Sequence, residues 1–278
     1  MTQTATLDRL LLEGRLWRLA RNAVLQASPA GVNQDRRLAG WNPADSDFFD
    51  RRLVSEWFCD SLIPRSGAHW RGPVTVLLGL AGLFRARRSL RGQSDRSKVL
   101  CVGKHVWPDP GLLDVLLMDG CRGPSPPDPD RYWRDCILVD PPDRASRIWA
   151  IHHALRCPEI CAVLADGAGL DLSASRRVLL AAESSGTYAL LARPIEERSK
   201  LSAAGSRWLV EPMPSDTGWP RWSVHLLSCK GLQPDMEHSE GWSVSWNGDS
   251  HDLSGAVCFS PFSADRSTAK EVTPRSTG

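Results

Sequence analysis

Over residues 146–194, segments with apolar residues at helical spacing alternate with short apolar runs typical of strands. An apolar run at residues 160–165 predicts a buried strand between two amphipathic helices. The second helix runs from about residue 174 to residue 184, with Gly186 as its C-cap, and another apolar run follows at residues 188–192. Such alternation of helices and strands predicts a parallel sheet covered by helices.

Further short apolar runs extend this pattern along the chain. Residues 74–78 form the first candidate core strand, followed by a glycine and an apparent helix. The other predicted strands are residues 99–102, 136–139, 208–211, 222–228 and 242–246. The predicted fold class is therefore α/β, with a mostly parallel sheet flanked by helices.

Composition divides the chain into three parts. Residues 1–66 are predicted to be an N-terminal helical arm and a linker rich in Pro, Gly, Asn and Asp. Residues 67–254 form the predicted core, which a Pro-rich insertion interrupts near residues 120–130. Residues 255–278 are predicted to be a disordered tail, because they are polar and lack an apolar period.

Within the arm, residues 7–19 predict an amphipathic helix. Leu12, Leu16 and Leu19 lie on one face of it, and arginines lie elsewhere on its surface. Packing against its own domain and docking on a partner protein both explain such a face. A docking helix is expected to become ordered only on binding. Gly14 is consistent with this, because it weakens the free helix by roughly 1 kcal/mol relative to Ala.

Charge, hydropathy and cysteine content narrow the class of protein. The net charge of +2 is too small to mark the whole chain as a binder of polyanions. No uninterrupted apolar run reaches membrane-spanning length, and the amino terminus lacks a signal-peptide pattern, so we expect a soluble cytoplasmic protein with no membrane partner. Four of the eight Cys sit in or beside apolar runs, which favours buried thiols over disulfides or a metal site.

A basic segment spans residues 85–98, with six Arg or Lys against one Asp, a net charge of +5. Such clusters attract nucleic-acid phosphates, and a solvated helix end or linker explains the segment as well. Any DNA binding is expected to be weak and nonspecific. The candidate contacts are Arg85, Arg87, Arg88 and Arg91, together with Arg198 and Lys200 after the run at residues 188–192.

The residues after the predicted strand at 74–78 bear on nucleotide binding. An ATPase of the recombinase type places its phosphate loop there, with glycines, a Lys for the phosphates and a Ser or Thr hydroxyl for magnesium. Gly79 and Gly82 are present, but the Lys and the hydroxyl are missing. The segment is therefore predicted to be a degenerate phosphate loop.

Two other strand ends carry the remaining candidate groups. Asp166 stands where a magnesium-supporting carboxylate would lie, although a turn at Gly167 explains this Asp as well. Lys104 and His105 occupy the strand end at which such ATPases place a catalytic carboxylate. These losses predict a nonenzymatic protein with no cofactor, no metal and no catalytic residues.

An ordered series of short segments runs through the chain. Its strongest part is Asp143-Arg144, Trp149-Ala150, residues 162–165, 170–177 and 180–183, Gly186-Thr187 and Arg193-Pro194. Residues 202–204, 207–208, 211–212, 221–222 and 230–231 continue it, as does Trp17-Arg18. The series resembles the ImuA family of RecA-like accessory proteins in bacterial damage-induced mutagenesis. The resemblance covers roughly residues 67–231 and depends on the order of the segments.

The resemblance implies a RecA-like fold without ATPase motifs and a scaffold role in SOS-induced translesion synthesis. The implied partners are ImuB, an inactive Y-family polymerase homologue, RecA, and indirectly an error-prone replicative-type polymerase. It also implies association with the nucleoid during DNA damage. The Pro-rich insertion and the basic segment depart from the family pattern. Alternatives are a SulA-like regulator of cell division and a weak nucleotide-binding protein of the same fold.

Overall fold

The computed structural model of the chain describes residues 46–50, 52–60, 72–90, 98–108, 136–215, 220–231, 241–246 and 257–261. The helices in this part of the chain are α1 (Ser46–Asp50), α2 (Gly72–Leu90), α3 (Arg144–Arg156) and α4 (Leu172–Ser185). Short 3-10 turns cover Lys104–Val106 and Ile195–Glu197.

The strands form one mixed sheet. In chain order they are β1 (Val54–Cys59), β2 (Lys98–Val102), β3 (Cys136–Val139), β4 (Ile160–Asp166), β5 (Tyr188–Pro194), β6 (Ser206–Met213), β7 (Arg221–Cys229), β8 (Gly241–Trp246) and β9 (Val257–Pro261). Across the sheet the order is β3-β2-β4-β5-β1-β6-β7-β8-β9. The strands from β3 to β6 in this order are parallel, and β7, β8 and β9 add antiparallel pairs. The predicted α/β class with a mostly parallel sheet is confirmed.

Two helical layers cover the parallel strands. Helices α3 and α4 contribute to a core on one face, and α2 contributes to the core on the other. Alternate side chains of β1 show the division, since Val54 belongs to the first core and Trp57 to the second. In the second core the rings of Trp57 and Trp208 stack with centroids 5.0 Å apart, which joins the neighbouring strands β1 and β6.

The ends of α3 and α4 follow from local chemistry. The carboxylates of Asp143 and Asp171 cap the two helices by accepting hydrogen bonds from the backbone N–H groups of Ser146 and Ala174, at 2.8 and 2.7 Å. These hydrogen bonds lower the pKa of both carboxyl groups. Gly186 ends α4 in the left-handed conformation, with φ of 70°, as the sequence predicts.

The predicted strand at residues 74–78 is wrong, because these residues lie in α2. Short apolar runs do not distinguish a strand from a buried helix. Here both sides of the helix are enclosed, and every residue from Val74 to Ala81 is buried. Gly79 and Gly82 therefore belong to a buried helix and form no loop.

The predicted domain limits also need correction at both ends. Strand β1 lies within residues 1–66, which were assigned to an arm and linker, yet it is central to the sheet between β5 and β6. Strand β9 lies within residues 255–278, the predicted disordered tail, and pairs with β8. The predicted helix at residues 7–19 and the insertion at residues 120–130 lie outside the described residues. Among the helices that are described, none is long and apolar enough to cross a membrane.

Candidate functional site

The parallel strands end together at one edge of the sheet, here called the carboxyl edge. In open α/β sheets ligands bind at this edge. It receives the end of β4 with Asp166, the end of β5 with Arg193, and the turn Gly103–His105 after β2. The residues there decide what chemistry the fold can perform.

Asp166 is buried and its carboxylate is already occupied by groups of the chain. Its Oδ2 lies 3.2 Å from Arg147 Nη1 and 3.0 Å from His105 Nδ1. Its Oδ1 accepts a hydrogen bond from the backbone N–H of Ala168 at 2.9 Å. Arg147 reaches it from α3 and also donates to the Ala168 carbonyl at 2.6 Å. A divalent cation would have to displace these groups in order to reach the carboxylate.

Gly103 allows this close approach between β2 and β4. Its φ is 93°, and a Cβ atom placed on it would stand 2.9 Å from the Cβ of Asp166. Any larger residue would combine backbone strain with a clash against a buried side chain. The glycine therefore allows Asp166 and Arg147 to pack against the turn after β2.

Arg193 forms a second charge cluster beside the first. The side chain is fully buried, and its Nη1 lies 2.6 Å from Glu56 Oε1 on β1. Its Nη2 lies 2.6 Å from Glu197 Oε2 and donates to the Leu170 carbonyl at 2.9 Å. One guanidinium thus joins β1, β5 and the loop before α4. Because an unpaired buried charge is costly, each of these partners is needed.

Both carboxylates in this cluster have further donors. Glu56 also lies 3.0 Å from Arg207 Nε on β6 and accepts from the Ser202 hydroxyl at 2.6 Å. Glu197 pairs with Lys200 at 2.8 Å and accepts from the backbone N–H of Gly169. Burial raises the pKa of Glu197, but the hydrogen bonds from Lys200 and Arg193 outweigh it, so the pKa lies below its ordinary value.

At the ends of β4 and β5 the carboxyl edge is therefore occupied by the chain's own charged groups. Each buried carboxylate has at least one cationic partner at hydrogen-bond distance. Among the described residues, no group of three or more His, Cys, Asp and Glu could hold a metal ion. The arrangement suits the fixing of strand ends more than the binding of a charged ligand.

Because residues 74–78 are helical, a phosphate loop would be expected at a different place in the chain. In P-loop proteins this loop joins a strand to the following helix, which here means the link between β1 and α2. The sequence Gly67-Ala-His-Trp-Arg-Gly72-Pro73-Val74 in that link has the glycine spacing of the motif. Pro73 and Val74 stand at the positions of the Lys and of the Ser or Thr. This signal was available in the sequence, but it was missed because β1 was not predicted.

The predicted DNA-contact residues have different environments. Arg88 is 7% exposed, its guanidinium donates to the Gly186 carbonyl and it lies over the Tyr188 ring, so burial removes it from a phosphate-binding surface. Arg85 is partly buried on α2. Arg198 is exposed, and Lys200 is exposed but paired with Glu197.

Several predicted positions cannot be compared with the structure. Arg87 lies on α2, but its side chain is outside the described part, and Arg91 lies outside the described residues. The leucines Leu12, Leu16 and Leu19 also lie outside them. The contacts of these five residues stay predictions.

Several charged residues of the two clusters were not predicted from the sequence. Arg147, Glu56, Glu197 and Arg207 hold the two clusters together through partners on other elements. Of these residues, Glu56 could most readily have been predicted to lie in a charge cluster. An acidic residue within an apolar run that becomes buried requires a cationic partner.

The fold and the site define an α/β protein with a mostly parallel sheet, in which internal ion pairs occupy the ends of β4 and β5. No protein-family model matches the chain. It is similar to Protein ImuA of Caulobacter vibrioides, from strains NA1000 and ATCC 19089, with 32% identity over 114 aligned residues. The alignment covers 35% of this chain and 47% of the relative, so the chain spans about half the length of the curated relatives it matches. The resemblance to ImuA is confirmed.

Proposed function

We propose that this chain is a nonenzymatic, RecA-like accessory protein of damage-induced translesion DNA synthesis. It acts as a scaffold with an ImuB-like Y-family polymerase homologue and with RecA, and indirectly with an error-prone replicative-type polymerase. Its similarity to ImuA of Caulobacter vibrioides supports the role in mutagenesis. The proposed place of action is the cytoplasm, at the nucleoid during DNA damage.

The strand order supports the RecA-like part of the proposal. Strand β1 leads towards α2 through a link with P-loop glycine spacing, and β4 ends in the Asp that a nucleotide site would use. Strand β5 lies between β4 and β1, so these ends share one edge. This is the arrangement expected of a fold that once carried a phosphate loop and a magnesium carboxylate.

The proposal that the protein is not an enzyme is supported mainly by the contacts that occupy the Asp166 carboxylate. Arg147 and His105 already contact its Oδ2, where a magnesium-supporting carboxylate would need to face metal-bound water. Pro73 supplies neither the ammonium group nor a backbone N–H, and Val74 supplies no hydroxyl. A phosphate loop at this position would therefore lack both its cationic side chain and the hydroxyl that ligates magnesium.

Calorimetric titration of the purified chain with magnesium ATP tests this part. We expect no binding at submicromolar ATP and no turnover, with the same result for Asp166→Asn. Melting curves establish that the variant is folded. A submicromolar dissociation constant for the wild type, or ATP turnover that Asp166→Asn abolishes, would show that the nucleotide site is functional.

Complementation tests the cellular role. Deletion of the gene should lower the frequency of DNA-damage-induced mutations, and a plasmid with the wild-type gene should restore it. Asp166→Asn should restore it as well, because the carboxylate has no catalytic task. Unchanged mutagenesis in the deletion strain, measured at equal survival, would refute the role even if ATP binding is absent.

The predicted N-terminal helix supplies the partner experiment. If Leu12 and Leu16 dock on a partner, Leu12→Asp with Leu16→Asp should abolish copurification with the polymerase homologue or RecA at an unchanged melting temperature. Leu16→Met is the matched control, since it keeps an apolar side chain. A double variant that melts many degrees lower would place this helix in the core instead.

A further inference from the structure

The outer faces of α3 and α4 carry two large apolar side chains in contact with solvent. Trp149 on α3 is 64% exposed and Leu180 on α4 is 65% exposed. In the described part of the chain, Leu201 is the only other large apolar residue with comparable exposure, at 75%. Single exposed apolar residues are ordinary, but these two lie on the solvent-facing sides of two neighbouring helices.

The same two helices carry cations without acidic partners. Within the described residues, Arg144 and Arg147 pair with Asp171 and Asp166, whereas Arg156, Arg176 and Arg177 are in no ion pair. These three arginines are exposed. Across both helices Glu183 is the only acidic residue.

Two observations relate cations of the two helices to each other. The ion pair between Arg144 and Asp171, at 3.1 Å, joins the first turn of α3 to the N-cap of α4, so the helices run side by side in the same direction. The pKa of His152 is lowered by burial and then by the charges of Arg156, His153 and Arg177. Cations of both helices therefore lie close to one imidazole.

The position of the Trp149 ring is restricted by its neighbour. Its centroid lies 4.1 Å from that of His153, one turn later on α3. A side chain held in this way loses little entropy when a partner covers it. Trp and Arg are also the residue types that most often dominate the energy of protein interfaces.

We propose that the α3–α4 surface, formed by Trp149, His153, Arg156, Arg176, Arg177 and Leu180, binds an acidic segment of a partner protein that carries large apolar side chains. The arginines attract the acidic groups, and Trp149 and Leu180 receive the apolar ones. Nucleic acid is the weaker fit, because His153 contacts the Trp149 ring and Leu180 offers no ring for a base to stack on. The surface is separate from the carboxyl edge, and the inference rests on the scaffold role proposed above, for which it names the binding surface.

A labelled synthetic peptide tests the proposal by fluorescence anisotropy. The probe has about 15 residues, with Leu at helical i, i+3, i+4 and i+7 positions and Glu or Asp at most others. We expect saturable binding to the full chain that weakens as salt increases. A peptide with Lys in place of the acidic residues should not bind.

Surface variants locate the binding. Trp149→Ala should weaken binding of the acidic peptide about tenfold or more, and Arg176→Glu with Arg177→Glu should abolish it. The control, Arg198→Glu with Leu201→Ala, removes an exposed cation and an exposed leucine elsewhere and should bind like the wild type. If the double arginine variant does not fold, Arg176→Gln and Leu180→Ser, made singly, take its place.

Four outcomes overturn the proposal. Three of them are failure of the acidic peptide to bind the wild type, equal binding by wild type and all α3–α4 variants, and loss of binding only in the Arg198 and Leu201 control. A fourth is tighter binding of single-stranded oligothymidine, lost in the same α3–α4 variants, which would make this a nucleic-acid surface.

Discussion

Replacing Arg193 by Met tests whether the buried charge cluster stabilises the fold. Met keeps an unbranched side chain of similar length but removes the guanidinium. The change leaves Glu56 and Glu197 buried without their shared cation, and the Leu170 carbonyl without its donor. We expect a large loss of stability, because the cost arises from the groups left unpaired.

The size of the loss follows from the partners that remain. Removing one member of a buried ion pair costs about 3–5 kcal/mol. Here Glu56 keeps Arg207 and the Ser202 hydroxyl, and Glu197 keeps Lys200. The expected loss therefore lies at the lower end, about 3 kcal/mol in the free energy of unfolding.

Thermal and urea unfolding, followed by tryptophan fluorescence, measure the loss. About 3 kcal/mol lowers Tm by about 6–12 °C in a chain of roughly this size. Arg198→Met is the matched control, because Arg198 is exposed and should change stability by less than about 0.5 kcal/mol. A loss below about 1 kcal/mol for Arg193→Met would mean that water or rearranged side chains compensate both carboxylates.

Three other changes have defined outcomes. Burial is the largest cause that lowers the pKa of His225 and His152, so as the pH falls the unfolded chain takes up protons at a higher pH than the folded chain does. The free energy of unfolding should therefore fall as pH drops below about 6.5. The fall should be smaller in His225→Gln, and Tm measured against pH tests both expectations. Cys161, whose pKa burial raises to about 11, should react with iodoacetamide far more slowly than Cys157 in the folded protein, as mass spectrometry can measure. Gly103→Ala should lose about 2 kcal/mol in urea unfolding, whereas an unchanged midpoint would contradict the close approach to β4.

The region from α3 to β5 could be predicted from the sequence because local signals repeat there. Each helix has an N-cap residue, each strand is a continuous apolar run, and the connections are short. Asp166 could likewise be placed at a strand end, since an acidic residue that directly follows a buried run marks the edge of the sheet.

Strand β1 and helix α2 show where local patterns fail. Glu56 interrupts the apolar run of β1, and its cationic partners Arg193 and Arg207 lie 137 and 151 residues further along the chain. No local window contains them. In α2 the run at residues 74–78 looks like a strand because burial on both sides removes the amphipathic period that marks a helix.

The buried charges at the carboxyl edge and the exposed charges on the α3–α4 surface have different consequences for ligand binding. At the carboxyl edge, Arg147 and Arg193 are paired with carboxylates, so an incoming ligand would have to break ion pairs before gaining contacts. On the outer face, Arg176 and Arg177 are in no ion pair among the described residues, so a partner gains their charge without that cost. Under the proposed scaffold role, association is therefore expected through the helical surface rather than at the edge where related sheets bind small ligands.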